Sequence, residues 1–184
     1  HIGRIAIRED PNFHGGDYYD KAEGPDAGLA VAREIAQVTF RSDNAFSERF
    51  GRNLQRGNQH PHGMEMWDRF EIESYLDHHG DSLVARFDAN SYLVIGKAME
   101  LHDIGRGRGG IENAVSRIKC PTIVIGINSD LLYPDHQAKR IHKMLYYAGR
   151  EGRYVNIDTA DGHDGFLTQP TLVGQPLAAF LERD

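Results

Sequence analysis

The chain has 184 residues, 40% of them hydrophobic and 26% charged, with 27 acidic against 21 basic side chains and a net charge of -6 when histidine is neutral. That balance is ordinary for a folded soluble domain, excludes a disordered or collagen-like chain, and argues against a nucleic-acid or anionic-membrane surface, which needs clustered Lys and Arg. A single Cys120 cannot form an internal disulfide, so a reducing, cytoplasmic setting is expected, and no apolar run approaches the ~20 residues that span a bilayer.

The chain opens on His1-Ile2-Gly3-Arg4, with neither a Met nor a following apolar signal segment, so a start inside a longer protein is expected. Residues 1–119 then read as short helices joined by polar or glycine-rich loops. Leu29, Ala32, Ala36 and Phe40 recur at helical spacing over residues 28–40, with Asp26 available as a cap. Ser42 is placed to cap the next helix, which puts Phe46 and Phe50 on one face. A helix is predicted over 67–79, stopped at Gly80. Asp81 and Asp88 are read as starts of further helices, the second running through Tyr92, Leu93 and Met99. Ile111, Val115 and Ile118 make a last stripe.

From Cys120 the texture changes. Residues 121–127, Pro-Thr-Ile-Val-Ile-Gly-Ile, form a β-branched run without alternation, the pattern of a strand buried on both faces of a parallel sheet. A helix over 135–147 follows, with Ile141, Met144 and Leu145 expected to face inward. A second strand is predicted over 153–157 and a closing helix over 172–181. This β-α-β-α order implies a parallel sheet, whose further strands must come from elsewhere.

In open parallel sheets the reactive residues collect beyond the C-terminal ends of the strands. Asn128-Ser129-Asp130 follows the first strand and Asp161-Gly162-His163-Asp164-Gly165 the second. Parallel neighbours stand ~4.8 Å apart, close enough for Asp130 to reach the imidazole of His163. An Asp so placed fixes the tautomer of a catalytic base. Taken singly, Asp130 reads equally well as a turn former and His163 as a solvated loop residue; the pairing at matched strand ends is what raises both.

Longer words carry a resemblance. Arg69-Phe-Glu-Ile-Glu-Ser-Tyr-Leu76, Arg86-Phe-Asp-Ala-Asn-Ser-Tyr92, His102-Asp-Ile-Gly-Arg-Gly-Arg-Gly-Gly110, Ser129-Asp-Leu-Leu-Tyr-Pro134 and Gly162-His-Asp-Gly-Phe-Leu167, together with Asp10-Pro11 and Gly15-Gly16-Asp-Tyr18, resemble the homoserine O-acetyltransferases of methionine biosynthesis, over nearly the whole chain and in order. The resemblance implies an α/β fold: the C-terminal portion of an α/β-hydrolase with a helical lid over residues 1–119, and residues 120–184 as the last strands and helices of the core. It implies Asp130 as triad acid and His163 as base, in the chain order Ser, acid, His. It implies Arg33, in Leu29-Ala-Val-Ala-Arg33-Glu-Ile35-Ala36, as partner of the substrate carboxylate, and Asp164 as partner of its ammonium. Where the family has Tyr seven positions after that Arg, this chain has Phe40.

The family's nucleophile sits in a Gly-x-Ser-x-Gly turn, and none of the seven serines here has glycine at both flanking positions. The missing half is therefore expected to supply it. The resemblance further implies acetyl-CoA as co-substrate, L-homoserine as acceptor, no metal or bound organic cofactor, and a homodimer through the lid. A succinyl donor, a related serine or homoserine acyltransferase, and a non-catalytic module that kept the fold remain as alternatives. Gly105-x-Gly107-x-x-Gly110 spells a dinucleotide-binding turn but follows a helix and is rejected. His60, His62, His78 and His79 complete no metal-ligand spacing, and Cys120 is read as a small buried residue.

Overall fold

The computed structural model describes residues 1–55 and 66–182. They group into two units, His1–Val38 with Phe46–Leu101, and Thr39–Ala45 with His102–Asp184. Residues 39–45 and 102–119 therefore go with the strands rather than with the other helices.

The first unit is built from α1 (Ile2–Arg8), α2 (Asp26–Phe40), which ends in the second unit, α3 (Asp43–Arg49), which starts there, α4 (Glu71–Val84) and α5 (Ala89–Leu101). Its core is Ile7, Tyr18, Leu29, Ala32, Leu83 and Ala89. Asp26 lies inside α2 and does not cap it. The carboxylate of Asp10 takes that role, accepting a hydrogen bond from Gly28 N–H at 2.7 Å. Asp88 caps α5 through the Ser91 N–H at 2.7 Å and also accepts from the Tyr18 hydroxyl. Burial raises the Asp88 carboxyl, yet the hydrogen bonds from Tyr18, Ser91 and Tyr19 outweigh it and hold the group below the usual carboxylate range.

The helix expected over 67–79 lies at Glu71–Val84 instead. Glu73 starts it by accepting from Phe70 N–H at 2.7 Å, and Trp67 stays outside, 82% exposed. Gly80 does not stop the helix. It is buried within α4, where an added Cβ would stand 3.1 Å from that of Ala30, so its missing side chain lets α4 approach α2. Asp81 correspondingly lies within α4 and starts nothing.

The second unit contains α6 (Ile111–Ser116), β1 (Thr122–Ile127), α7 (Asp135–Tyr147), β2 (Gly152–Ile157), α8 (Gly165–Thr168) and α9 (Pro170–Leu181). β1 and β2 pair in parallel with flush register, Thr122 opposite Gly152 and Ile127 opposite Ile157, so both strands end at one level. α7 and α9 pack on both strands. Ile127, Leu145 and Ile157 are buried, each contributing roughly 1.5–3 kcal/mol of apolar burial. Among the described residues β1 has β2 as its one neighbour, and residues 122–125 of β1 are only half-buried. Ile141 does not face inward; it is 51% exposed, with Leu145 filling the core in its place. Cys120 is exposed too, because it stands before Pro121 at the mouth of β1, ahead of the packed part of the strand.

Candidate active site

The flush register delivers two loops to the same sheet edge, and short side chains stitch them together. Asn128 Oδ1 accepts from Thr159 N–H at 3.1 Å, and the Ser129 hydroxyl donates to the Thr159 carbonyl at 2.5 Å while accepting from Gly162 N–H at 3.0 Å. Neither loop can slide along the other without breaking these bonds.

Across the stitched edge, His163 Nδ1 lies 2.9 Å from Asp130 Oδ2. The other carboxylate oxygen accepts from the backbone N–H groups of Leu132 and Tyr133, both at 2.8 Å. A carboxylate with a side chain only 7% exposed needs such partners, since an unpaired buried charge is costly. An ionised carboxylate only accepts, so the proton of a neutral imidazole is fixed on Nδ1 and Nε2 becomes the basic nitrogen. Among the described residues no hydrogen bond reaches Nε2. The ring is enclosed by Phe40, Tyr133 and Phe166, with centroids 5.5, 5.3 and 5.4 Å away. A cavity of about 350 Å³ borders Asp130 and His163, lined also by Tyr133, Ile141, Phe166 and Val173.

The turn carrying His163 is pinned from the segment between α2 and α3. Gly162 has φ +74°, and a Cβ there would stand 2.7 Å from both the Phe40 carbonyl oxygen and the Ser42 nitrogen. Only glycine allows that backbone shape and that approach. The Ser42 hydroxyl accepts from Ala45 N–H at 3.1 Å, capping α3, and donates to the Ala160 carbonyl. Arg41 lies 3.5 Å from the Asp161 carboxylate and 3.3 Å from that of Asp164. Hydrogen bonds from Gln169, Thr168 and Thr159, together with the Arg41 charge, hold the Asp161 carboxyl below its usual range against the opposing effect of burial.

The structure thus brings Asp130, His163 and Asp164 to one sheet edge, with Asp164 already paired to Arg41. Arg33 belongs to the other unit. There its guanidinium donates to Gln37 Oε1 at 2.7 Å, and Gln37, itself buried, donates to the Tyr75 hydroxyl at 2.7 Å. Arg41, Ser129 and Gly162 are the residues sequence reasoning passed over; only Gly162, a glycine beside a candidate base, carried a local signal. His60 and His62 lie outside the described residues, and among the described residues no group of three metal-ligating side chains exists.

An acid and a histidine on the loops after adjacent parallel strands, joined to helices ahead of them, define part of an α/β-hydrolase fold. A crystal structure of homoserine O-acetyltransferase from Bacillus anthracis matches it with a TM-score of 0.85 at 24% identity, over 100% of this chain and 48% of that one. A crystal structure of esterase E22 matches with a TM-score of 0.81 at 22% identity, over 98% of this chain and 48% of its own. No family model matches. By sequence, a homoserine O-acetyltransferase of Thermobifida fusca (strain YX) is 48% identical over 165 residues, 89% of this chain and 42% of that protein. The chain belongs to the homoserine O-acetyltransferase family. It spans about half the length of the curated relatives it matches.

Proposed function

We propose that this chain is the C-terminal part of an enzyme that moves an acetyl group from acetyl-CoA to the γ-hydroxyl of L-homoserine, in methionine biosynthesis. The observation that carries the reading is the His163–Asp130 pair at 2.9 Å, held at flush strand ends in a chain of this ancestry. A serine from the preceding half of the protein attacks the thioester carbonyl while His163 Nε2 takes its proton. The tetrahedral intermediate collapses, the C–S bond breaks, and the proton passes to the departing CoA thiolate. The homoserine hydroxyl then attacks the acyl-serine, gives its proton to the same nitrogen, and the serine leaves with it. Asp130 holds the tautomer and offsets the imidazolium charge in both halves.

Arg33 takes the substrate carboxylate and Asp164 its ammonium, a reading that rests on the family resemblance at those positions. A bidentate guanidinium suits a carboxylate. Phe40 removes a hydroxyl contact that the family's usual Tyr would supply. The helical region acts as a lid that keeps water from the acyl-enzyme, and the enzyme works as a cytoplasmic homodimer through that lid with no metal or bound organic cofactor. No helix among the described residues is long and apolar enough to cross a membrane.

Water in place of homoserine is the second reading, since an esterase shares the fold; 48% identity to an acetyltransferase against 22% to that esterase favours transfer. The test offers the full-length protein acetyl-CoA or succinyl-CoA with and without homoserine and identifies the products. O-acetylhomoserine as the main product is expected. Free acetate or O-succinylhomoserine in its place overturns the reading.

A further inference from the structure

We infer that Arg41 is a positioning residue for His163: one guanidinium, bridging the two carboxylates that flank the histidine turn, holds the base over Asp130 and balances the charge beside it. The inference rests on the function proposed above and adds a residue to it.

Three observations carry it. First, Arg41 reaches both Asp161 and Asp164, one on each side of His163, at 3.5 and 3.3 Å, with a side chain only 20% exposed. Ion pairs so shielded are less screened than surface pairs, so one guanidinium charge at these distances attracts both carboxylates. Second, the same short segment grips the turn twice more, through the contact of Gly162 with the backbone of Phe40, Arg41 and Ser42 and through the Ser42 bond to the Ala160 carbonyl. Third, Phe40, next to Arg41, lies against the imidazole itself. The segment thus touches both the ring and the turn that bears it. The ion pairs set the height and tilt of that turn, and the ring contact sets its side.

The charge balance follows from the same geometry. The charged and titratable groups around His163 are Asp130 and Tyr133 from the loop after β1, Asp161 and Asp164 from its own turn, and Arg41 from the segment ahead of α3. Of these carboxylates Asp130 meets the imidazole, and the other two, Asp161 and Asp164, meet the Arg41 guanidinium. Removing that cation leaves the imidazolium favoured, so the base is blocked by its own proton over a wider pH range. In addition, Asp161 and Asp164 then repel each other across the turn.

The experiment uses full-length protein and the variants Arg41→Met, Arg41→Lys and Arg41→Met with Asp161→Asn, reading acyl-enzyme formation from acetyl-CoA against pH. Arg41→Met is expected to lower kcat about ten- to a hundredfold with little change in KM, as a small misplacement of a catalytic group does. Its acid limb moves up by roughly half to one pH unit. Arg41→Lys, which keeps the charge, retains the wild-type limb, and the added Asp161→Asn moves the limb of Arg41→Met back down. A parallel arm follows the His163 ring by NMR in histidine-labelled full-length protein, where Arg41→Met shifts the titration upward whether or not homoserine is the acceptor. Should Arg41→Met fail to fold, the Arg41→Lys and wild-type limbs are compared in the presence and absence of Asp161→Asn, with the same downward shift expected in both. A wild-type limb in Arg41→Met, or no response to Asp161→Asn, overturns the inference. A wild-type enzyme that does not acetylate homoserine, with the NMR shift intact, overturns the proposed function and leaves the Arg41 role standing.

Discussion

Asp130→Asn separates the charge of the acid from its shape. Asparagine fills the same space, and its one carbonyl oxygen can keep the Leu132 and Tyr133 N–H groups that Asp130 Oδ1 now accepts, both at 2.8 Å. That orientation turns the amide NH₂ toward His163 Nδ1, where Oδ2 sits 2.9 Å away in the native protein. The flipped amide would forfeit two hydrogen bonds and set N–H against N–H. At about 1 kcal/mol per bond the flip is disfavoured by at least ~2 kcal/mol, or some thirtyfold. Nδ1 must then accept, the proton moves to Nε2, and the nitrogen that should take the serine proton already carries one. The same change of tautomer costs about 10⁴-fold in a serine protease, equivalent to roughly 5.5 kcal/mol of barrier. Asp130→Asn is therefore expected to fold with a near-native denaturation midpoint and to lose about 10⁴-fold in the burst of CoA release, measured by thiol titration on the full-length enzyme. A near-normal burst would mean that another residue is the triad acid.

Arg33→Ala is expected to spare acyl-enzyme formation and to slow acetyl transfer to homoserine by roughly thirty- to several-thousand-fold, the ~2–5 kcal/mol of a charge pair losing one partner; equal slowing of both half-reactions refutes its role as carboxylate partner. Gly162→Ala forces a side chain onto backbone at φ +74° and 2.7 Å, so a loss of about 2–5 kcal/mol of stability is expected from strain and overpacking, read as a lower urea midpoint; an unchanged midpoint refutes the clamp on the histidine turn. Asp161 carries one part of the pH dependence of stability. Its folded carboxyl sits below the usual range, chiefly through the Gln169 hydrogen bond, so its contribution is complete above the unfolded value of about 3.9 and disappears as pH falls through the lower folded value. Denaturation midpoints of wild type and Asp161→Asn should converge on acidification, and a constant gap contradicts the assignment.

The strands, the helix between them and the acid–histidine pair were legible because each has a local cause. β-branched apolar residues favour strands even where, as in residues 123–125, they end up only half-buried, and a parallel pair with flush ends brings the following loops together whatever surrounds them. What escaped is long-range. The Ser42 bond to the Ala160 carbonyl joins residues 118 apart in sequence, and no local pattern marks Arg41 as a partner of Asp161 and Asp164. Gly80 reads as a helix stop until the approach of Ala30 is known, and Asp26 reads as a cap until Asp10 is seen at the Gly28 N–H. Ile141 follows the helical period of a buried face yet stays 51% exposed beside the cavity next to Asp130. Period alone tells which residues share a face, not what covers it.

The central claim is that His163 serves a serine acyl-enzyme whose acetyl group passes to homoserine. Intact-protein mass spectrometry of the full-length enzyme after a brief exposure to acetyl-CoA tests it directly. Wild type is expected to carry one acetyl group on a serine, to lose it rapidly when homoserine is added with O-acetylhomoserine appearing in equal amount, and to lose it only slowly to water. His163→Ala is expected to stay unmodified throughout. An unacetylated wild type, or an acetyl group that leaves equally fast with and without homoserine, contradicts the account.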